Sequence, residues 1–146
     1  TSNTSPNELR LKLGSIFPLA KNRSIQIMLQ SFSFRSGSPS GVDMVFDCRF
    51  LKNPNWEDGL KDLNGTDFEV KDYLRKDESW ASFNKSLIQM LLTIIPAFEK
   101  EGKSYLSIGL GCTGGQHRSV FVAEQLYKHL LDKSYYVKIF HTILQK

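Results

Sequence analysis

Cys112 and Arg118 are separated by five residues and followed at once by Ser119, within Gly111-Cys-Thr-Gly-Gly-Gln-His-Arg-Ser119. A thiol, a guanidinium and a hydroxyl in that order suit phosphate chemistry: a thiolate attacks phosphorus, loop amides and the guanidinium hold the phosphoryl oxygens, and the hydroxyl helps the thiolate leave. The same segment can hold a phosphate without attacking it. Gly111, Gly114 and Gly115 let the backbone approach a ligand, a helix N-terminus presents unpaired N–H groups and partial positive charge, and Arg118 adds a planar fork. A third reading is a tight strand-to-helix turn whose glycines serve only packing. The crowding of Thr113, Gln116, His117, Arg118 and Ser119 into one turn argues against it.

The nucleophilic reading is incomplete. Position 111 is Gly where cysteine-dependent phosphatases usually carry His, and spacing identifies no general acid, Asp47 and Asp58 being the only candidates. A binding site that uses the amides and Arg118 needs fewer parts. No complete Walker A loop occurs, and Gly109, Gly111 and Gly114 imitate a dinucleotide fingerprint without its acidic partner. His117, His129 and His141 lack cysteines or carboxylates at ligand spacing, so neither a metal nor a cofactor is expected. His129 reads as helix surface and His117 as an anion contact.

The elements that must position this turn follow from periodicity. Ile25 to Phe34 partly alternates and predicts a first strand, Val42 to Cys48 a second and mostly buried one, Tyr105 to Leu110 a third and Tyr135 to Thr142 a last. Between the second strand and the helices, positions 49–65 carry Asn53-Pro54, Asp58-Gly59 and Asn64-Gly65, a long irregular connection of the kind that is often functional. Phe68 to Lys76 predicts a short helix. Leu87, Met90, Leu91, Ile94, Ile95 and Phe98 form one apolar helical face, which Pro96 should kink or break and Gly102 should end. Val120 to Leu131 predicts the helix after the glycine turn, its buried stripe made by Ala123, Leu126, Tyr127, Leu130 and Leu131. Strands joined through helices predict an α/β three-layer sandwich with a mostly parallel sheet, whose ligands bind beyond the carboxyl ends of the strands.

Composition sets the outer limits. A chain of 146 residues, 40% hydrophobic, suits one globular domain, and no apolar run approaches a membrane span. Residues 1–24, with a short apolar patch at Leu9, Leu11, Leu13, Ile16 and Phe17, read as a linker or tail. The chain opens on Thr1 and shows no signal peptide, so a cytoplasmic protein with a missing upstream domain is expected. Cys48 and Cys112 are too few for a disulfide scaffold; both read as buried side chains, a regulatory pair being the alternative. A net charge of +4 permits a polyanion partner. Lys21, Arg23, Arg35, Lys103, Lys128, Lys133, Lys138 and Lys146 form either a basic face for RNA or a protein, or solvated surface.

The order of residues in the turn resembles the C-terminal domain of the RapZ family, the RNase adapter proteins. The resemblance rests on Gly111 through Val120 with Ala123-Glu-Gln-Leu126. It extends to Ser31-Phe32, Phe34, Gly37, Phe46-Asp47, Arg49-Phe-Leu51, Asn53-Pro54, Gly65 and Asp67, from about Ile25 to the end. It implies a fold similar to part of phosphofructokinase, in the second half of a longer chain behind a P-loop nucleotide-binding domain or a sugar-kinase-like phosphotransferase. It also implies homo-oligomers, sensing of an amino-sugar phosphate, and presentation of a small regulatory RNA to an endoribonuclease. Carried over by motif, Thr113, Gly114, Gly115, Gln116, His117 and Arg118 hold the phosphate group. Ser119, with Arg49, Asn53 and Asn55 from the long connection, is assigned to the same site. Asn55 stands where such chains often carry His, and the ending His141-Thr-Ile-Leu-Gln-Lys146 lacks their cluster of Arg and Lys, which weakens the expectation of RNA binding. The sequence thus points to a domain that binds a phosphorylated small molecule, with a phosphatase using Cys112, Arg118 and Ser119 as the alternative.

Overall fold

The computed structural model describes residues 25–144. Ile25, Ile27 and Leu29 are buried while Gln26, Met28 and Gln30 are half-exposed, the period of a strand with one covered face. That strand is β1 (Gln26–Ser33), followed by a single 3-10 turn at Phe34–Ser36, β2 (Met44–Asp47) and a second 3-10 turn at Pro54–Trp56. Helices α1 (Phe68–Arg75) and α2 (Trp80–Lys100) lead into β3 (Tyr105–Cys112), and α3 (Arg118–Asp132) leads into β4 (Tyr136–His141). The sheet runs β2-β3-β1-β4 with every pair parallel. The fold is therefore the expected α/β sandwich on a parallel sheet.

The crossover from β2 to β3 and the one from β3 to β4 step across the sheet in the same direction. Right-handed crossovers in one direction place their helices on one face. Side chains agree: Ile27, Leu29, Leu106, Ile108, Leu110 and Val137 share one core with Leu87, Leu91, Ile95, Phe121 and Leu126. On the opposite face Val45 and Phe140 are exposed, and no helix among the described residues covers them, so these residues make two layers of the α/β sandwich where the sequence predicts three. The predicted second strand is shorter than expected and alternates half-buried with exposed, because it is an edge strand with one uncovered face. The tail reading of residues 1–24 lies outside the described residues.

Pro96 does not break α2, which continues to Lys100. Its ring is exposed and sits in the last turns, where solvent can satisfy the carbonyl left without an N–H partner. Gly102 closes the helix at φ +91°.

A Ser–His–Glu series crosses the core. Ser31 Oγ lies 2.7 Å from His141 Nδ1, and His141 Nε2 lies 2.7 Å from Glu124 Oε2. The order is that of a hydrolytic triad, but Ser31 is fully buried within the sheet, so no substrate reaches it. The series instead ties the end of β4 to β1 and α3. Truncating the ring leaves a buried hydroxyl and a carboxylate unpaired. His141→Ala is expected to lower unfolding free energy by roughly 2 kcal/mol in urea titrations followed by circular dichroism.

Candidate functional site

β1 and β3 pair from Gln26 with Tyr105 through Ser33 with Cys112, so both strands end at one level. The glycine turn leaves β3 there, and the amide of Arg35, just past β1, donates to the Thr113 carbonyl at 3.3 Å. The glycines have separate duties. A Cβ on Gly111 would meet Phe32 Cζ at 2.5 Å and Phe34 Cε2 at 2.6 Å, so this glycine makes room for two packed rings rather than for a ligand. Gly115 has φ +70°, and a Cβ there would lie 2.9 Å from the Ser33 amide nitrogen. Gly114 faces open space and leaves its backbone accessible.

Three polar side chains of the turn are spent on the long connection. Arg118 donates from one guanidinium nitrogen to the carbonyls of Arg49 and Leu51, at 2.9 and 3.1 Å, and from the other to Thr113 Oγ1 at 3.4 Å. Gln116 Nε2 donates to the carbonyls of Lys61 and Leu63, at 3.1 and 2.7 Å, while its own carbonyl accepts from the Gly65 amide at 2.9 Å. His117 Nε2 donates to the Leu60 carbonyl at 3.1 Å. A Cβ on Gly65 would overlap the His117 carbonyl and the Phe121 amide, so only glycine lets the connection lie this close to the start of α3. The turn and positions 49–65 are one sewn unit.

Beneath Arg35 and above Cys112 lies a cavity of about 120 Å³. Thr113 and Gly114 line it from the turn, Asn53 and Asn55 from the connection, and Gln116, His117 and Arg118 from the start of α3. No carboxylate lines it, and α3 carries no acidic residue in its first turn. Two guanidinium groups and a helix N-terminus therefore give it an electrostatic character that favours anions. Arg35, read from sequence only as part of a basic face, is the residue missed. Its place in the cavity depends on β1 ending beside β3, which no local motif announces.

The other assigned residues divide. Arg49 does not line the cavity: Asp47 holds its guanidinium through three contacts of 2.6 to 3.0 Å, and the group lies 4.2 Å above the Phe34 ring. Only its carbonyl serves the site, through Arg118. Gly115 and Ser119 are not in the lining either. Ser119 Oγ lies 3.1 Å from Cys112 Sγ and is fully buried, as the phosphatase pattern would have it. Yet Asp47 is bound to Arg49, and neither it nor Asp58 lines the cavity, so the required acid is not in place. Cys48 is buried, and burial foremost, then the neighbouring Cys112, pushes its thiol far above the usual range. Both cysteines are free.

The remaining sequence features fall elsewhere. Lys103, just after α2, is held by Asp43 at 3.0 Å. Lys128 is on α3, on the covered side of the sheet, whereas Lys138 is on the uncovered face of β4. Those two lysines therefore lie on opposite sides of the sheet, and Lys21, Arg23 and Lys146 lie outside the described residues. No group of three or more His, Cys, Asp or Glu side chains suited to a metal is found among the described residues, nor is any helix long and apolar enough to cross a membrane.

Burial, the leading cause, holds His117 below the ordinary histidine value of 6.5. Its folded state therefore takes up a proton less readily than the unfolded chain. Stability from this site is complete above the ordinary histidine pKa and declines as pH falls through it toward the depressed folded value. Urea midpoints are expected to drop between about pH 7 and about pH 5, and His117→Asn should flatten that drop.

Residues 25–145 match the RapZ C-terminal domain family. A nucleotide-binding protein of Cereibacter sphaeroides is 46% identical over all 146 residues, which make up 48% of that protein. Nucleotide-binding proteins of Dinoroseobacter shibae and Corynebacterium jeikeium are 45% and 36% identical, again over this whole chain and over 49% and 50% of theirs. The chain spans about half the length of these curated relatives. With the family match taking in every described element and the glycine turn, the chain belongs to the RapZ C-terminal domain family.

Proposed function

We propose that this domain is a regulatory binding domain that senses a phosphorylated small molecule, an amino-sugar phosphate, with the phosphate in the cavity at the glycine turn. The observation that carries the reading is a small cavity holding Arg35, Arg118 and the start of α3 with no carboxylate in its wall. A phosphate or sulfate group supplies the anion such a lining lacks. Gly114 leaves its backbone amide open at close range, Arg35 lines the cavity, and the Thr113 hydroxyl, while accepting from Arg118, keeps its own proton to donate to a ligand. Arg118 serves both ligand and fold.

Binding without turnover fits the geometry better than hydrolysis. Cys112 reaches the cavity, but no acid stands opposite it to protonate a leaving group. The scattered lysines lend no support to RNA delivery by this domain alone. In the longer relatives, named as nucleotide-binding proteins, a domain of this kind would report metabolite level to the other half of the chain.

The reading is tested by calorimetric titration with glucosamine 6-phosphate. Arg35→Ala is expected to weaken binding roughly tenfold or more with little change in stability, since charge-assisted hydrogen bonds contribute about 1.5–3 kcal/mol. Thr113→Val should weaken it similarly and also lower stability, because it removes an acceptor of the Arg118 guanidinium. Arg118→Ala should lose both binding and stability. Cys112→Ser should bind nearly as well as the parent. Release of phosphate from an aryl phosphate that disappears in Cys112→Ser would replace the sensor reading with the phosphatase one.

A further inference from the structure

The cavity is too small for the whole of a sugar phosphate. Its volume of about 120 Å³ admits a phosphoryl group and little more, whereas sites that enclose entire small ligands run to roughly 300–1,000 Å³. A hexose phosphate seated by its phosphate must leave its ring at the rim. The 3-10 turn Pro54–Trp56 borders the cavity through Asn55 and its cap Asn53, which both line it.

The next residue on that turn is Trp56, 83% exposed and the most exposed large hydrophobic side chain among the described residues. The chain's other tryptophan behaves in the ordinary way: Trp80 is buried, its ring centroid 4.6 Å from that of Phe121. Leaving an indole in water forgoes the burial that Trp80 achieves. The backbone beneath Trp56 is nevertheless fixed. Pro54 is buried with its φ preset, Asn53 Oδ1 accepts from the Asn55 amide at 3.0 Å, the Trp56 amide donates to the Asn53 carbonyl at 3.1 Å, and the Glu57 amide donates to the Pro54 carbonyl at 3.1 Å. An aromatic side chain on a braced mount loses little freedom when a ligand settles on it. Neighbouring amides of Asn53 and Asn55, each able to donate and accept, suit ring hydroxyls.

We infer that Trp56 is the specificity-determining residue for the part of the ligand outside the cavity. Its indole takes the C–H face of a pyranose ring whose phosphate lies between Arg35 and Thr113, and its π face favours a ring that carries an ammonium group. The inference rests on the reading of the cavity as a phosphate site. Recognition then has two separable parts: the anion is held by the turn, and the sugar is chosen by the indole. Inorganic phosphate, which lacks the second part, binds without regard to Trp56.

The test uses the 146-residue chain and two probes, glucosamine 6-phosphate and inorganic phosphate, followed through the two indole N–H resonances in nitrogen-15 spectra. Trp56→Phe identifies which resonance is which. The expected result is a shift of the Trp56 resonance with the sugar phosphate, a roughly tenfold loss of its affinity in Trp56→Ala, near-complete recovery in Trp56→Phe, and unchanged affinity for inorganic phosphate in both variants. Wild-type affinity of Trp56→Ala for the sugar phosphate overturns the inference, as does an equal loss for both probes, which would make the turn rather than the indole responsible. Failure of the phosphate reading is distinct: in that case Arg35→Ala and Thr113→Val leave both probes unaffected, and the inference falls with it.

Discussion

The site depends on how the buried charge of Arg118 is satisfied. No carboxylate stands in the cavity to neutralise it; the carbonyls of Arg49 and Leu51 and the hydroxyl of Thr113 take its hydrogens instead. Carbonyl dipoles make burial of a guanidinium tolerable, but they leave positive potential behind, because a dipole does not cancel a net charge. Asp47 feels that potential: its carboxyl is held below its usual range, first by its hydrogen bond to Arg49 and least by Arg118. An anion in the cavity would complete a balance that the protein alone leaves open. The donors to carbonyl oxygens also fix where positions 49–65 run, so one residue sets both the charge of the site and its outer wall.

That arrangement is available only because of the sheet order. β1 and β3 are adjacent, parallel and in register to their last residues, so the chain leaves both strands at the same height. β2 ends beside them, with the Cys48 amide donating to the Gly111 carbonyl at 2.7 Å, and the connection therefore starts at the glycine turn itself. Helix α3 then begins within one residue of the turn and aims its N-terminus at the same point. Three strand ends and a helix start meet in a few ångströms, which is the usual place for ligands in open parallel sheets.

Local features were legible in the sequence and long-range ones were not. The amphipathic stripes of α2 and α3 and the glycine turn each announce themselves within a dozen residues, since periodicity and positive-φ demands are local. The division of labour within the turn is a different matter. Gln116, His117 and Arg118 are legible as candidate ligand contacts, but the claim of positions 60–63 and 49–51 on their hydrogen bonds is not. Arg35 looks like surface until β1 is known to end beside Thr113. Gly111 looks like a phosphate-binding glycine until Phe32 and Phe34 are found across it. In each case a partner more than 50 residues away, or on another strand, decides the role. The Ser31–His141–Glu124 series escaped for the same reason, since its members come from β1, β4 and α3.

Sensing requires that an occupied and an empty site differ in more than the ligand. The sewn unit supplies a physical route, because the group proposed to meet the phosphate, Arg118, is also the clasp on the carbonyls of Arg49 and Leu51. An anion that moved the guanidinium would act on both carbonyls, and Phe50 stands between them. Phe50 is exposed and lies edge-on to Phe83 of α2, ring centroids 4.7 Å apart. His117 and Gln116 anchor the far end of the connection independently of Arg118. Phe50 and Trp56 are the exposed aromatic groups of this connection, so they are the surface that a change at Arg118 would have to reach before another part of a longer chain could register it.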